Sequence, residues 1–172
     1  MTELLQPFSL REEQTSDDLQ KASELLHAVT GKGYRVDSDA AIVDDLTTYD
    51  AYMGGRFGSF LIHRDEQRVI RALAYVARYP ASMELVALSV DEVARNKGIG
   101  RQVLDVLIEE SEESSRPIWL HTGRGNTGAR RFFRRAGFQE LPESDFRQDT
   151  GSKFIALERP VQSLAELAII NT

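Results

Sequence analysis

The chain has 172 residues and a mass of 19.4 kDa, the size of one domain, and a chain of this length buries roughly 70% of its unfolded surface without needing cross-links. It has no cysteine, which excludes disulfides, thiolate metal sites, iron–sulfur clusters and a Cys nucleophile. The net charge of −6 argues against a general nucleic-acid binder, and no apolar run approaches the roughly 18 residues that a membrane span requires.

The opening MTELLQPFSLREEQ lacks a basic region followed by an apolar stretch, so a secretion signal is not expected and a cytoplasmic location is. Residues 7–13 read as a first strand. Ser16-Asp17-Asp18 offers an N-cap and an acidic first turn. Leu19, Ala22, Leu25, Leu26 and Val29 then recur at helical spacing up to Gly31. Asp37-Ser38-Asp39 caps a second helix that carries Ile42, Leu46 and Tyr49 and ends at Gly54-Gly55. Strands are expected at 57–63 and 68–78, joined by a hairpin turn at Asp65-Glu66-Gln67, and at 83–90 after Pro80. Residues 98–114 read as a helix with Ile99, Val103, Val106, Leu107 and Glu110 on one face. Leu104 and Ile108 make it apolar nearly all round, so it is expected to be mostly buried. A short strand at 117–120, an Arg-rich helix at 126–136 ended by Gly137, and a last strand at 153–159 follow. One domain is expected over 1–160, with 161–172 as a tail that could form a short helix. The order, antiparallel strands first and βαβ-like units later, is α+β with a mixed sheet.

The strongest chemical signal is Arg95-Asn96-Lys97-Gly98-Ile99-Gly100-Arg101, which follows an apolar strand and opens a helix. The first N–H groups of a helix have no internal partner, and the helix dipole makes that end positive. Glycines let the backbone take positive φ and approach a ligand, and Arg95, Lys97 and Arg101 add charge. The combination suits a phosphate or diphosphate. A plain tight turn with solvated basic residues is the competing reading. The loop is not a Walker motif, because GxxxxGK[ST] is absent.

Two motifs together carry a resemblance to the GCN5-related N-acetyltransferase (GNAT) family. The first is Arg95, Gly98 and Gly100 in an R/Q-x-x-G-x-G/A pattern after the strand ELVALSV. The second, Asn126-Thr127-Gly128-Ala129-Arg130-Arg131-Phe132-Phe133-Arg134-Arg135-Ala136-Gly137-Phe138, is similar to the family's Asn, Ala, aromatic pair and Gly-Phe. The resemblance implies an acyl-coenzyme A N-acyltransferase fold, a central mostly antiparallel sheet with flanking helices. It also implies acetyl-coenzyme A as co-substrate, with no metal, and an amine acceptor on a small molecule or a protein. A homodimer is a further family-level expectation, and no nucleic acid or membrane partner is implied.

By the same resemblance, the diphosphate sits on the backbone amides from Asn96 through Arg101, Ile99 included. The acyl group and pantetheine arm lie along Leu88, Ser89 and Val90. Asn126, Ala129, Phe132 and Phe133 line the arm on its other side, and the Leu88 N–H is the oxyanion donor. Glu84 matches the place of a base in the histone-type members; an edge glutamate facing solvent is the alternative. The family's tyrosine acid is replaced here by Phe133, which cannot donate a proton. That substitution supports a rival reading, a non-catalytic acyl-coenzyme A binder. His121 is a candidate proton donor, and a structural histidine is its alternative.

Three further features compete for attention. Gly123-Arg124-Gly125-Asn126-Thr127-Gly128 is a literal G-x-G-x-x-G, but the chain after it is too short for a doubly wound dinucleotide fold, and Glu140 comes too early for a ribose-binding acid. Arg130, Arg131, Arg134 and Arg135, with Arg124 nearby, form a basic cluster; a solvated helix face comes first, contact of Arg130 or Arg131 with the 3′-phosphate of coenzyme A next, and a nucleic-acid patch last, because the chain is acidic overall. The segment 16–56 shapes the acceptor pocket in the family; its Asp37, Asp39, Asp44, Asp45 and Asp50 are either an ordinary acidic helix surface or a feature that favours a cationic amine on electrostatic grounds. The three histidines, His27, His63 and His121, form no HExxH-type metal pair.

Overall fold

The computed structural model describes residues 6–8, 15–30, 42–43, 46–47, 50, 57–143, 145, 147 and 153–161. The expected second helix at 37–54 lies largely outside this set, and all of the tail beyond residue 161 does. The elements are β1 (Gln6–Phe8), α1 (Ser16–Thr30), β2 (Gly58–Arg64), β3 (Ile70–Arg78), β4 (Met83–Val90), a 3-10 turn (Glu92–Ala94), α2 (Ile99–Glu113), β5 (Ile118–Gly123), α3 (Thr127–Arg135), β6 (Gln139–Glu140) and β7 (Phe154–Arg159). The strands form a mixed sheet in the order β1-β2-β3-β4-β5-β7-β6. Two compact units make up the chain. One is Met1–Arg78 with Leu85–Val106; the other is Tyr79–Glu84 with Leu107–Thr172.

The first unit is built on the β2–β3 hairpin and α1. Leu19, Ala22, Leu25 and Leu26 recur at three- and four-residue steps, so one stripe of α1 is buried. It packs on Phe60 and Ile62 of β2, Ile70, Leu73 and Tyr75 of β3, Ala87 of β4, and Ile42 and Leu46. The N-cap of α1 is Thr15 and not Ser16: the Thr15 hydroxyl accepts the Asp18 N–H at 3.2 Å. The hairpin turn is organised by Asp65, whose Oδ1 accepts the N–H groups of Gln67 and Val69 at 3.0 and 2.9 Å, while Arg68 takes φ 63°. Gly58 is needed for a different reason. A Cβ there would lie 1.8 Å from the hydroxyl of Tyr75, which donates to Asp50 Oδ1 at 2.6 Å.

The second unit is organised around β5, which pairs antiparallel with β7 from Ile118↔Arg159 to Gly123↔Phe154. β5 also pairs in parallel with the start of β4, at Met83↔Ile118 and Glu84↔Trp119. β5 runs three residues past the expected end at Leu120, because His121, Thr122 and Gly123 find their backbone partners on β7. The helix α2 is also less buried than expected. Val103, Leu104, Leu107 and Ser111 are buried, whereas Arg101, Gln102, Asp105 and Glu109 face water.

α3 shows why the 126–138 motif reads as it does. Asn126 is its N-cap, with Oδ1 accepting the Ala129 N–H at 3.0 Å. At the other end Gly137 adopts φ 89°, its N–H donates to Arg134 O at 3.0 Å, and the Phe138 N–H donates to Phe133 O at 3.1 Å. These two bonds form a Schellman motif, whose accompanying apolar contact is the Phe133–Phe138 pair at 5.5 Å between centroids. Gly137→Ala places a side chain in the left-handed region. It is expected to cost about 1–2 kcal/mol, read as a lowered midpoint in urea unfolding with an unchanged slope.

Candidate functional site

Burial alternates along β4. Met83, Leu85, Ala87 and Ser89 are buried, and Glu84, Val86, Leu88 and Val90 line the less buried face. Glu84 and Leu88, four residues apart, therefore share a face of one strand. Past Val90 the backbone turns at Asp91, makes the 3-10 turn, extends at Arg95 (φ −63°, ψ 155°) and enters α2 at Ile99. Asn96 at φ 61° and Gly98 at φ 82° place left-handed residues on both sides of Lys97. Left- and right-handed residues in succession turn their N–H groups towards one side, a concavity that favours anions, and the start of α2 adds its own amides. No atom lies within 4 Å of a Cβ built on Gly98, so backbone conformation rather than crowding selects glycine there. The flanking side chains are partly committed. Arg95 Nε donates back to Val90 O at 3.2 Å, Arg101 Nε donates to Asp105 Oδ1 at 2.7 Å, and Lys97 is exposed.

The root of this loop is held by charge. Asp91 is only 8% exposed, and its Oδ2 accepts Arg71 Nη1 at 2.9 Å and pairs with Lys21 Nζ at 3.2 Å. Arg71 Nε in turn donates to Asp65 Oδ2 at 2.6 Å, and the Asp91 N–H donates to Arg71 O at 2.8 Å. α1, β3 and the loop thus meet at one carboxylate, and Arg71 ties the hairpin turn to it. Burial works to raise the Asp91 pKa, but the hydrogen bonds and charges of Arg71 and Lys21 outweigh it and hold the carboxyl below its ordinary value.

In the second unit, Glu84 stands half-buried. Its Oε2 accepts the Tyr79 hydroxyl at 3.3 Å. Burial pushes its pKa up, and the Tyr79 hydrogen bond and the nearby His121 oppose that rise only in part. Trp119 is the register partner of Glu84 on β5, and its ring lies 5.3 Å from that of His121 in an edge-to-face arrangement. His121 Nε2 lies 2.7 Å from Arg147 O. A carbonyl only accepts, so Nε2 carries the hydrogen in this contact. Arg147 sits over Trp119 at 5.8 Å and is held by Asp145 and Glu158. Asp145 Oδ2 is 2.9 Å away, and Arg147 holds that carboxyl down to about 2. Sequence reasoning missed Tyr79 and Arg147. Tyr79 was legible as a polar aromatic across a Pro turn from Glu84, whereas nothing local pointed to Arg147.

Each expected site residue therefore has an address. Leu88, Ser89, Val90 and Arg95 through Arg101 belong to the first unit, and Glu84, Asn126, Ala129, Phe132 and Phe133 to the second. Asn126 caps α3, as described. Phe133, 8% exposed, packs edge-on between Phe132 and Phe138. Part of the basic cluster on α3 is neutralised. Arg130 Nη2 and Arg134 Nη2 both donate to Glu140 Oε1, at 2.6 and 2.5 Å. Among the described residues no group of His, Asp and Glu could hold a metal ion, and no helix is long and apolar enough to cross a membrane.

A strand, a turn with two left-handed residues and a helix start thus follow one another between Met83 and Glu113. The sequence profile of the Acetyltransferase (GNAT) family matches residues 22–138, and the chain belongs to that family. Membership implies acyl transfer from acetyl-coenzyme A. The fold is similar to that of the ribosomal-protein-S18-alanine N-acetyltransferase from Escherichia coli, at 17% identity over 92% of this chain and 95% of that one, with TM-score 0.64. It is also similar to an acetyltransferase from Thermus thermophilus, at 18% identity over 91% and 96%, with TM-score 0.66. A GNAT family acetyltransferase from Elizabethkingia anophelis with acetyl-CoA bound matches at 15% identity over 91% and 97%, with TM-score 0.63. No curated protein sequence matches the chain.

Asp91→Asn removes the charge that Arg71 and Lys21 share. The expected loss is on the order of 2 kcal/mol at neutral pH. Because the folded-state pKa of Asp91 is depressed, its contribution is fully present above the ordinary carboxylate range and fades as pH falls through the folded value. The stability gap between wild type and variant should therefore close only in acid, checked by urea melts across pH.

Proposed function

We propose that this chain is an N-acetyltransferase that moves the acetyl group of acetyl-coenzyme A directly to an amine, on a small molecule or a protein. The observation that carries this reading is the loop from Asn96 to Arg101. Its left-handed residues and helix-start amides have the chemistry of a diphosphate cradle, and they lie in the segment that matches the family. Leu88, on the less buried face of β4, supplies the backbone N–H that stabilises the oxyanion. The amine nitrogen forms a bond to the thioester carbonyl carbon, and the C–S bond breaks. The ammonium proton passes to Glu84, directly or through a water. The coenzyme A thiolate leaves and takes its proton from water or from His121, because Phe133 has none to give.

Two variants test the two halves of this reading. Gly98→Glu puts bulk, charge and backbone strain into the cradle, and acetyl-coenzyme A should no longer raise the melting temperature. Protection equal to wild type would place the donor elsewhere. Glu84→Gln should lower turnover about 100-fold near neutral pH, with the deficit shrinking as pH rises and more acceptor amine is already neutral. Thiol release with a panel of amines reads both. Binding of acetyl-coenzyme A with no thiol release on any amine would overturn the transferase reading.

A further inference from the structure

We propose that Tyr79 is a positioning residue for the base: its phenol donates to Glu84 Oε2, fixes the carboxylate on the face of β4 and leaves Oε1 to take the acceptor's proton. The proposal rests on the reading of Glu84 as the base.

The geometry makes the contact a built one. Tyr79 and Glu84 flank the tight turn between β3 and β4, which the Tyr79 N–H closes by donating to Ser82 O at 2.9 Å. Arg116 Nη1 donates to the Tyr79 carbonyl at 3.3 Å, and the Arg116 carbonyl accepts from Ser111 Oγ at 2.6 Å. The Tyr79 backbone is thus held at both its N–H and its carbonyl. The hydroxyl lies 3.3 Å from Oε2. That is long for a hydroxyl–carboxylate bond, and catalytic hydrogen bonds commonly tighten only when substrate arrives.

The protonation states agree with these roles. Burial, then the charge of Glu84, raises the Tyr79 pKa, so the phenol remains a donor across the working range. Burial raises Glu84, which makes it a stronger proton acceptor than an exposed glutamate. The other charged groups nearby are His121 on β5, Arg147 with its partners Asp145 and Glu158, and Arg116 with Glu110. Among the causes of the Glu84 shift, only His121 adds to Tyr79 in favouring the charged carboxylate. Removing the phenol therefore raises the Glu84 pKa further and gives up part of the ionised base at lower pH.

The test is Tyr79→Phe in the full chain, read in two ways. A carbon-13 carboxyl titration by NMR should show the Glu84 midpoint moving up. The acidic limb of kcat/KM should move in the same direction, with about a tenfold loss below the limb that closes at high pH. The KM for acetyl-coenzyme A should not change. If Tyr79→Phe does not fold, Glu84→Gln supplies the reciprocal measurement, in which the Tyr79 phenol must titrate lower than in wild type.

An unmoved Glu84 or Tyr79 midpoint overturns the contact. A uniform rate loss with an unmoved limb overturns the positioning role and leaves Tyr79 a structural residue. A wild-type enzyme that releases thiol with no acidic limb fails differently, because it removes Glu84 as base while the titrations still report the hydrogen bond.

Discussion

One buried carboxylate fixes the geometry of the loop. Asp91 sits where β4 ends, and the cations that neutralise it come from α1 and β3. A charge taken this far out of water is tolerable only when it is paired and hydrogen-bonded, so Lys21 and Arg71 are not optional decoration. Their demand for Asp91 sets where the backbone leaves the strand. From there the chain has only a 3-10 turn and two left-handed residues in which to reach the start of α2. A loop anchored in this way loses little further freedom when an anion arrives. Preorganisation of that kind is what the proposed diphosphate cradle draws on.

The second half of the family signature has a different basis. Asn126, Gly137 and Phe138 would be needed even if no ligand existed. The first satisfies an N–H at the start of α3, and the other two close its last turn in a Schellman motif against Phe133. The ring of Phe133 is therefore a packing group whatever else it faces, and its lack of a hydroxyl costs the helix nothing. A signature of this sort marks a helix that must begin and end at fixed places.

How much was legible follows from the range of the interactions involved. β4 was read to the residue, and α2 and α3 to within a residue at each end, because alternation, helical spacing, Asn126 and Gly137 are local signals. The hairpin was legible for the same reason, since Asp65 carries its own turn chemistry. Errors appeared where a partner distant in sequence decided the outcome. β5 gained His121, Thr122 and Gly123 from pairing with β7. The cap of α1 is a local exception, because Thr15 and Ser16 are adjacent hydroxyls and the helix begins after the first. The Asp91 network and the Arg147 contacts join residues far apart in the chain, so no window of sequence could show them. Charge counting misled for a related reason: the arginines of α3 look like an open basic face, yet two of them share Glu140.

Trp119 is the only tryptophan in the chain. It stands opposite Glu84 in the strand register, edge-on to an imidazole and beneath a guanidinium. All of the indole emission therefore originates beside Glu84, His121 and Arg147. The molecule carries its own optical gauge of that corner, and steady-state fluorescence can follow changes there without a dye or a label.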